Sequence, residues 1–379
     1  MATQRLCDAM LPELARTFST SLAQAAQVVS LFAVVYGLCQ LVYGPLGDRW
    51  GKFRLVAWAT LACGVGNLWA LFADSLAALV MARMLVALFA AAIIPLSLAW
   101  IGDVVPYAQR QETLARVGLG TTLGITGGQL FGGLFTDTVG WRWAFAFMSL
   151  LFTVAGGLLW LDARRQHLQS ASAPRMHEPP SAHFVEQALQ IITGRWSRVV
   201  LMVAVIEGAA GFGVLAIWAS HLHHARGLSL FAAGAVVALF GLGGMLYMAS
   251  ARRLIGRLGE RGLAQYGVLL LGVSATVIAL VPAIWPQLPA SLLAGFGFFM
   301  FHNTMQVNAT QMAPQARGTA VSLFASALFV GQSIGVLLAA ALVERMGSSW
   351  VILLGALVLV GVGSYFARAL RLRENAQVA

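Results

Sequence analysis

The chain is predicted to be an all-α membrane protein of two six-helix halves, with its first helix cut short. Two observations carry the prediction. Of 379 residues, 59% are hydrophobic and only 10% charged, where a soluble domain carries roughly 25% charged residues. In addition, the apolar residues fall into charge-poor stretches of about 20 residues, the length that crosses a bilayer as a helix. Forty glycines fit the same class, because small residues let helix backbones approach where lipid supplies no hydrophobic drive.

In chain order, the first charge-free stretch covers residues 25–44 and ends at Asp48, Arg49, Lys52 and Arg54. Further stretches follow at 55–73, 76–101, 113–135 and 143–161. Residues 163–196 are rich in Pro, Ser, Ala, Arg and His without apolar periodicity, which marks a linker. After it come stretches at 197–220, 229–250, 262–281, 287–312, 319–342 and 350–367, completing eleven full spans. The expected division is therefore a helical half at 1–162, the linker at 163–196, and a second half at 197–379. Before residue 14 there is room for only half a span, and Arg5 and Asp8 interrupt it. Either the true start lies upstream or span 1 is a short half-span. Loop parity favours an upstream start.

The net charge of +10 does not indicate nucleic acid, because the basic residues form no stripe. Most of the 24 Lys and Arg sit in alternate loops, whereas the intervening loops hold Arg16, Arg142, Arg226 and Arg345. That bias places the basic loops, the linker and the C-terminus in the cytoplasm and implies a multi-pass protein of the cell inner membrane. Cys7, Cys39 and Cys63 have neither metal-ligand spacing nor obvious partners. No cofactor or metal is expected.

The loop after the second span reads Gly44-Pro-Leu-Gly-Asp48-Arg49-Trp-Gly51-Lys52-Phe-Arg54. Gly44 and Gly51 permit a tight turn, and Asp48 can pair with an arginine or a helix N-terminus. This string resembles the loop between helices 2 and 3 of the major facilitator superfamily, G-x-x-x-D-R-x-G-x-x-R/K. Weaker echoes are Arg83 to Ala87 on span 4, Asp103-Val-Val-Pro106 with Arg110, and Gly140-Trp-Arg-Trp-Ala-Phe145. An internal repeat agrees: Pro106-x-x-x-Arg110 is mirrored by Pro314-x-x-Arg317, and 254–261 is a degraded copy of the Asp48 loop.

The resemblance implies the major facilitator fold and is nearest to the twelve-helix drug:proton antiporter branch. One departure weakens antiport relative to transport. The family's G-x-x-x-G-P-x-x-G-G run on span 5 here is Gly124-Ile-Thr-Gly-Gly128-Gln129-Leu-Phe-Gly132-Gly133, with Gln129 at the proline. The Asp48 loop, with Gly44, Asp48, Arg49, Gly51 and Arg54, would act as a conformational lock.

An ionisable residue inside a span is a functional hypothesis by default, because it is costly there. Glu207, about ten residues into span 7, is the clearest case and the leading candidate for proton coupling. Arg83 cannot lose its proton and needs an acceptor, for which Asp8 or a carbonyl could serve. The resemblance implies a coupling role for Arg83, and Asp8 joins it as a candidate; Arg5 and Asp8 share a helix face. Tyr36, Gln129, His302, Asn303, Gln306 and Gln332 are candidates for lining a substrate cavity, each weighed against plain interhelical hydrogen bonding. His221, His223 and His224 read as a wet helix end rather than a metal site.

The expected function is export of a small amphiphilic molecule, with protons as coupling ion, by a monomer in the lipid bilayer. Alternatives are metabolite uptake, sugar export, or a non-transporting scaffold or sensor. No enzyme pattern such as His-Glu-x-x-His or Gly-x-Ser-x-Gly is present.

Overall fold

The computed structural model describes residues 1–169 and 184–378. Residues 170–183 of the linker expected at 163–196 therefore lie outside the described residues. Everything described is helix, turn or short connection. Two short helices, α1 (Ala2–Arg5) and α2 (Leu11–Thr17), open the chain. Then come α3 (Leu22–Ala25), α4 (Gln27–Trp50), α5 (Lys52–Leu71), α6 (Leu76–Val104), α7 (Tyr107–Thr138) and α8 (Trp141–Gln169). After the linker follow α9 (Phe184–Thr193), α10 (Arg195–Glu207), a π-helical turn at Gly208–Gly213, and α11 (Trp218–Arg226). The chain closes with α12 (Leu230–Leu280), α13 (Gln287–Thr310), α14 (Arg317–Met346) and α15 (Ser348–Val378).

Among the described residues, eight helical stretches are long and apolar enough to cross a membrane. One of them, α12, has 51 residues and at about 1.5 Å per residue would reach far beyond a bilayer if straight. It is broken at Gly259, whose φ of 62° and ψ of 178° are open to glycine and strained for other residues, so α12 supplies two spans. The less apolar α7 and α13, of 32 and 24 residues, complete the eleven.

The helix ends follow ordinary rules. Ser21, Ser75 and Ser229 each accept a backbone N–H in the first turn of α3, α6 and α12, and Ser21 with Gln24 forms a full capping box. Gly51, with φ of 89°, separates α4 from α5.

Close backbone approach sets the packing. A Cβ on Gly66 would run into Val86, tying α5 to α6, and one on Gly156 would meet Leu61, tying α8 to α5. In the second half Gly267 and Gly297 face each other's carbonyls across α12 and α13. Two seams join the halves. Along the first, α4 meets α14, where Ser326 Oγ donates to the Gly37 carbonyl at 2.7 Å. Along the second, α7 meets α12, with Gly234 against the Gln129 carbonyl and Gly241 against Thr126. On the side away from the linker, Ala23 N donates to Glu344 at 3.0 Å and Phe231 N to Asp137 at 2.6 Å. Toward the linker, a Cβ on Gly118 or Gly120 of α7 would meet nothing within 4 Å. On that side Leu41 of α4 packs against the cluster of Ile191, Ala320 and Leu323.

Candidate functional site

Gly124, Gly128 and Gly132 stand four residues apart and so share one face of α7. A Cβ on any of them would strike the backbone of Met1, Ala2 or Leu6. Without side chains there, the first residues lie directly on α7. That seat buries Thr3, Gln4, Arg5 and Asp8, each no more than 5% exposed, in the middle of the bundle.

Buried polar side chains must find partners, and these four reach four different elements. Thr3 accepts from Arg83 Nη1 of α6 at 3.0 Å. Gln4 donates to Gln332 Oε1 of α14 at 3.3 Å. Arg5 Nη1 donates to Asp8 at 3.1 Å and to the Phe212 carbonyl, in the π-helical turn, at 3.4 Å. Asp8 also accepts from Gln129 Nε2 of α7 at 2.9 Å. Two links stay in the first half and two cross to the second. Both guanidiniums lie on aromatic faces, Arg83 over Phe32 at 4.2 Å and Arg5 over Phe212 at 4.5 Å. Asp8 Oδ1, Gln129 Oε1, Gln332 Nε2, and Nε and Nη2 of Arg83 are buried without a protein partner.

The second half holds a simpler pair. Glu207 is fully buried at the last turn of α10, directly before the π-helical turn. Its Oε1 lies 2.8 Å from His302 Nδ1 of α13, and its Oε2 has no protein partner. The His302 ring stacks on Phe298 at 5.6 Å between centroids, with Phe212, Phe299 and Phe324 around it at 6.0 to 6.2 Å. An imidazole and a carboxyl at this distance can hold one shared proton and remain neutral as a pair. Releasing it leaves a negative charge among aromatic rings.

The structure therefore brings Asp8 and Gln129 together and pairs Glu207 with His302, while Arg83 meets Thr3 rather than Asp8. Tyr36 is buried, its ring edge-on to Phe329 at 4.7 Å. Asn303 is half-buried, bonded to the Tyr247 hydroxyl, and Gln306 is exposed. In the loop, Arg49 and Arg54 are exposed, and Lys52 bonds Asp103 at 2.6 Å. Gly44 lies within α4, and the side chains of Asp48 and Arg110 lie outside what the structure describes. His221 bonds Ser348 and the Ile278 carbonyl, and His223 the Leu228 carbonyl. No metal-binding group of three residues occurs among the described residues.

Sequence reasoning missed Thr3, Gln4 and Phe212 as site residues. The signal for the first two was the span-5 glycine run, which marked a surface made for close backbone contact. For Phe212 it was the Gly-Ala-Ala-Gly-Phe-Gly string at 208–213, too poor in side chains to hold a regular helix firmly.

The chain matches the family model described as Major Facilitator Superfamily over residues 2–336. It is 26% identical over 351 residues to the uncharacterized MFS-type transporter YceJ of Bacillus subtilis, covering 87% of this chain and 83% of YceJ. It is 28% identical over 161 residues to the multidrug export protein EmrB of Escherichia coli K12, covering 42% of this chain and 31% of EmrB. Among solved structures, the nucleoside transporter NupG superposes with a TM-score of 0.74 at 12% identity, over 97% of each chain. The chain belongs to the Major Facilitator Superfamily, and is a multi-pass membrane transporter rather than an enzyme.

Proposed function

We propose that this Major Facilitator Superfamily transporter exports a small amphiphilic molecule in exchange for protons, by alternating access of its two halves. The Glu207–His302 pair carries the reading. It is the carboxyl–imidazole pair that can bind and release a proton inside the bundle without stranding a guanidinium. In an aromatic shell the ionised, unshared carboxylate is costly, so release requires water to reach it. Rocking of the halves changes the side from which water arrives, so the proton is bound from one side and released to the other. The likeness to EmrB, a multidrug export protein, supports the direction, export.

In this reading the linker and C-terminus face the cytoplasm of an inner-membrane monomer. The far-side contacts of Ala23 with Glu344 and of Phe231 with Asp137 then close the side away from the cytoplasm. Asp48, Arg49 and Arg54 steady the cytoplasmic side, and Tyr36, Asn303, Gln129 and Gln332 offer polar groups to cargo.

Glu207→Gln keeps the side chain's shape and hydrogen bonding but fixes the neutral form. In proteoliposomes with an imposed pH gradient, this variant loses concentrative transport and keeps downhill exchange of the same substrate. Uphill transport at the wild-type rate would make Glu207 structural. Loss of both activities in a folded protein would point to direct substrate binding.

A further inference from the structure

Phe212 touches both polar centres at once. Its carbonyl and its ring hold Arg5, which belongs to the N-terminal segment seated on α7. The same ring stands against the His302 imidazole at 69° and 6.2 Å between centroids. Phe212 sits inside the π-helical turn that begins one residue after Glu207. A π turn is a rare interruption of the regular helix that is frequent at functional sites. A small apolar cavity lined by Ala210, Gly211, Val214, Trp218 and Phe298 lies along this turn.

We propose that the Arg5–Phe212 contact is the joint through which the proton on Glu207–His302 controls the gap between the halves. The inference rests on the proton-exchange reading above. With the pair deprotonated, Glu207 is negative and Arg5 is drawn to the second half, over the Phe212 ring and onto its carbonyl. The far side stays closed. With the pair protonated, that attraction is lost, and an imidazolium competes with Arg5 for the electron-rich ring face. The joint loosens and the far side can open.

An empty, deprotonated carrier is thereby held with its far side closed. The charged and titratable groups around the joint are few. His302 faces it from α13, Arg5 and Asp8 come from the N-terminal segment, and Arg83 of α6 stands behind Asp8. Tyr247 of α12 faces Asn303, and α14 presents the amide Gln332 to Gln4.

The test is the distance between spin labels on the full-length protein in lipid nanodiscs, followed from neutral to acidic pH. Val139→Cys and Trp285→Cys place labels on exposed far-side positions of the two halves. Cys39, the cysteine that is not fully buried, is changed to alanine. The wild-type pair shifts toward longer distances on acidification. Phe212→Leu, which keeps an apolar side chain but removes the ring, loses that shift, and Phe212→Tyr restores it. Arg5→Met also loses it. A Phe212→Leu protein that shifts like the wild type overturns the joint, as does a wild type with no shift at all. The proton site is judged separately: Glu207→Gln transport under a gradient can succeed or fail whatever the labels report.

Discussion

Asp8 and Glu207 are both fully buried carboxyls, yet their surroundings differ in kind. Asp8 bonds a guanidinium and an amide and has a second guanidinium, Arg83, nearby. Its counter-charges are permanent, since arginine does not deprotonate in proteins. Neutralising Asp8 would leave buried positive charge behind. Glu207 bonds an imidazole that can itself gain or lose a proton, in a shell of phenylalanine rings. The difference teaches where a proton can move in such a bundle. The first-half cluster surrounds its carboxylate with permanent positive charge, whereas in the proposed function the second-half pair is the one whose charge a single proton changes.

The largest effect expected from this contrast is on stability. Asp8→Asn leaves Arg5 buried without its anion, which should cost about 3–5 kcal/mol. Thermal unfolding in detergent should show it as a large fall in Tm, whereas Glu207→Gln should unfold close to the wild type. Equal melting of the two variants would break the comparison.

A smaller effect follows from the seat of the first cluster. Gly132→Ala drives a Cβ against the Leu6 carbonyl and must push the N-terminal segment off α7, at about 1–3 kcal/mol. The same variant should raise labelling of a cysteine placed at Thr3, which is buried in the wild type. Unchanged labelling would mean the segment is not held by this face.

The smallest is Thr3→Val, which keeps the shape and removes the acceptor for Arg83. Interhelical hydrogen bonds of this kind average about 0.6 kcal/mol. Arg83 retains the Phe32 ring, so downhill transport should persist at near wild-type rate. A complete loss would give Arg83 a direct part in transport and place it beside Glu207 rather than with Asp8.

Much of this molecule was open to reading before any fold was known. The helical class and the apolar stretches follow from composition and length, which are local properties of the chain. So does the break within α12: a charged Gly-rich string between two apolar runs cannot continue one helix across a bilayer. The costly residues Asp8, Arg83 and Glu207 were also legible, because any charge within an apolar run stands out. The Gly124–Gly133 run announced a close contact, though not what would lie on it.

The partners were decided elsewhere. His302 stands 95 residues from Glu207 and Gln332 stands 328 from Gln4, and no spacing rule links residues so far apart. Which side chains meet depends on how far each helix is rotated about its axis and how deep it sits against its neighbours. A one-residue change of register turns a helical side chain by about 100°. Arg83 had Asp8 as a reasonable acceptor in the sequence, and packing gave it Thr3 and a phenylalanine ring instead. Charges and spans are fixed residue by residue, whereas the pairing of those charges is a property of the packed bundle, set by many small contacts acting together.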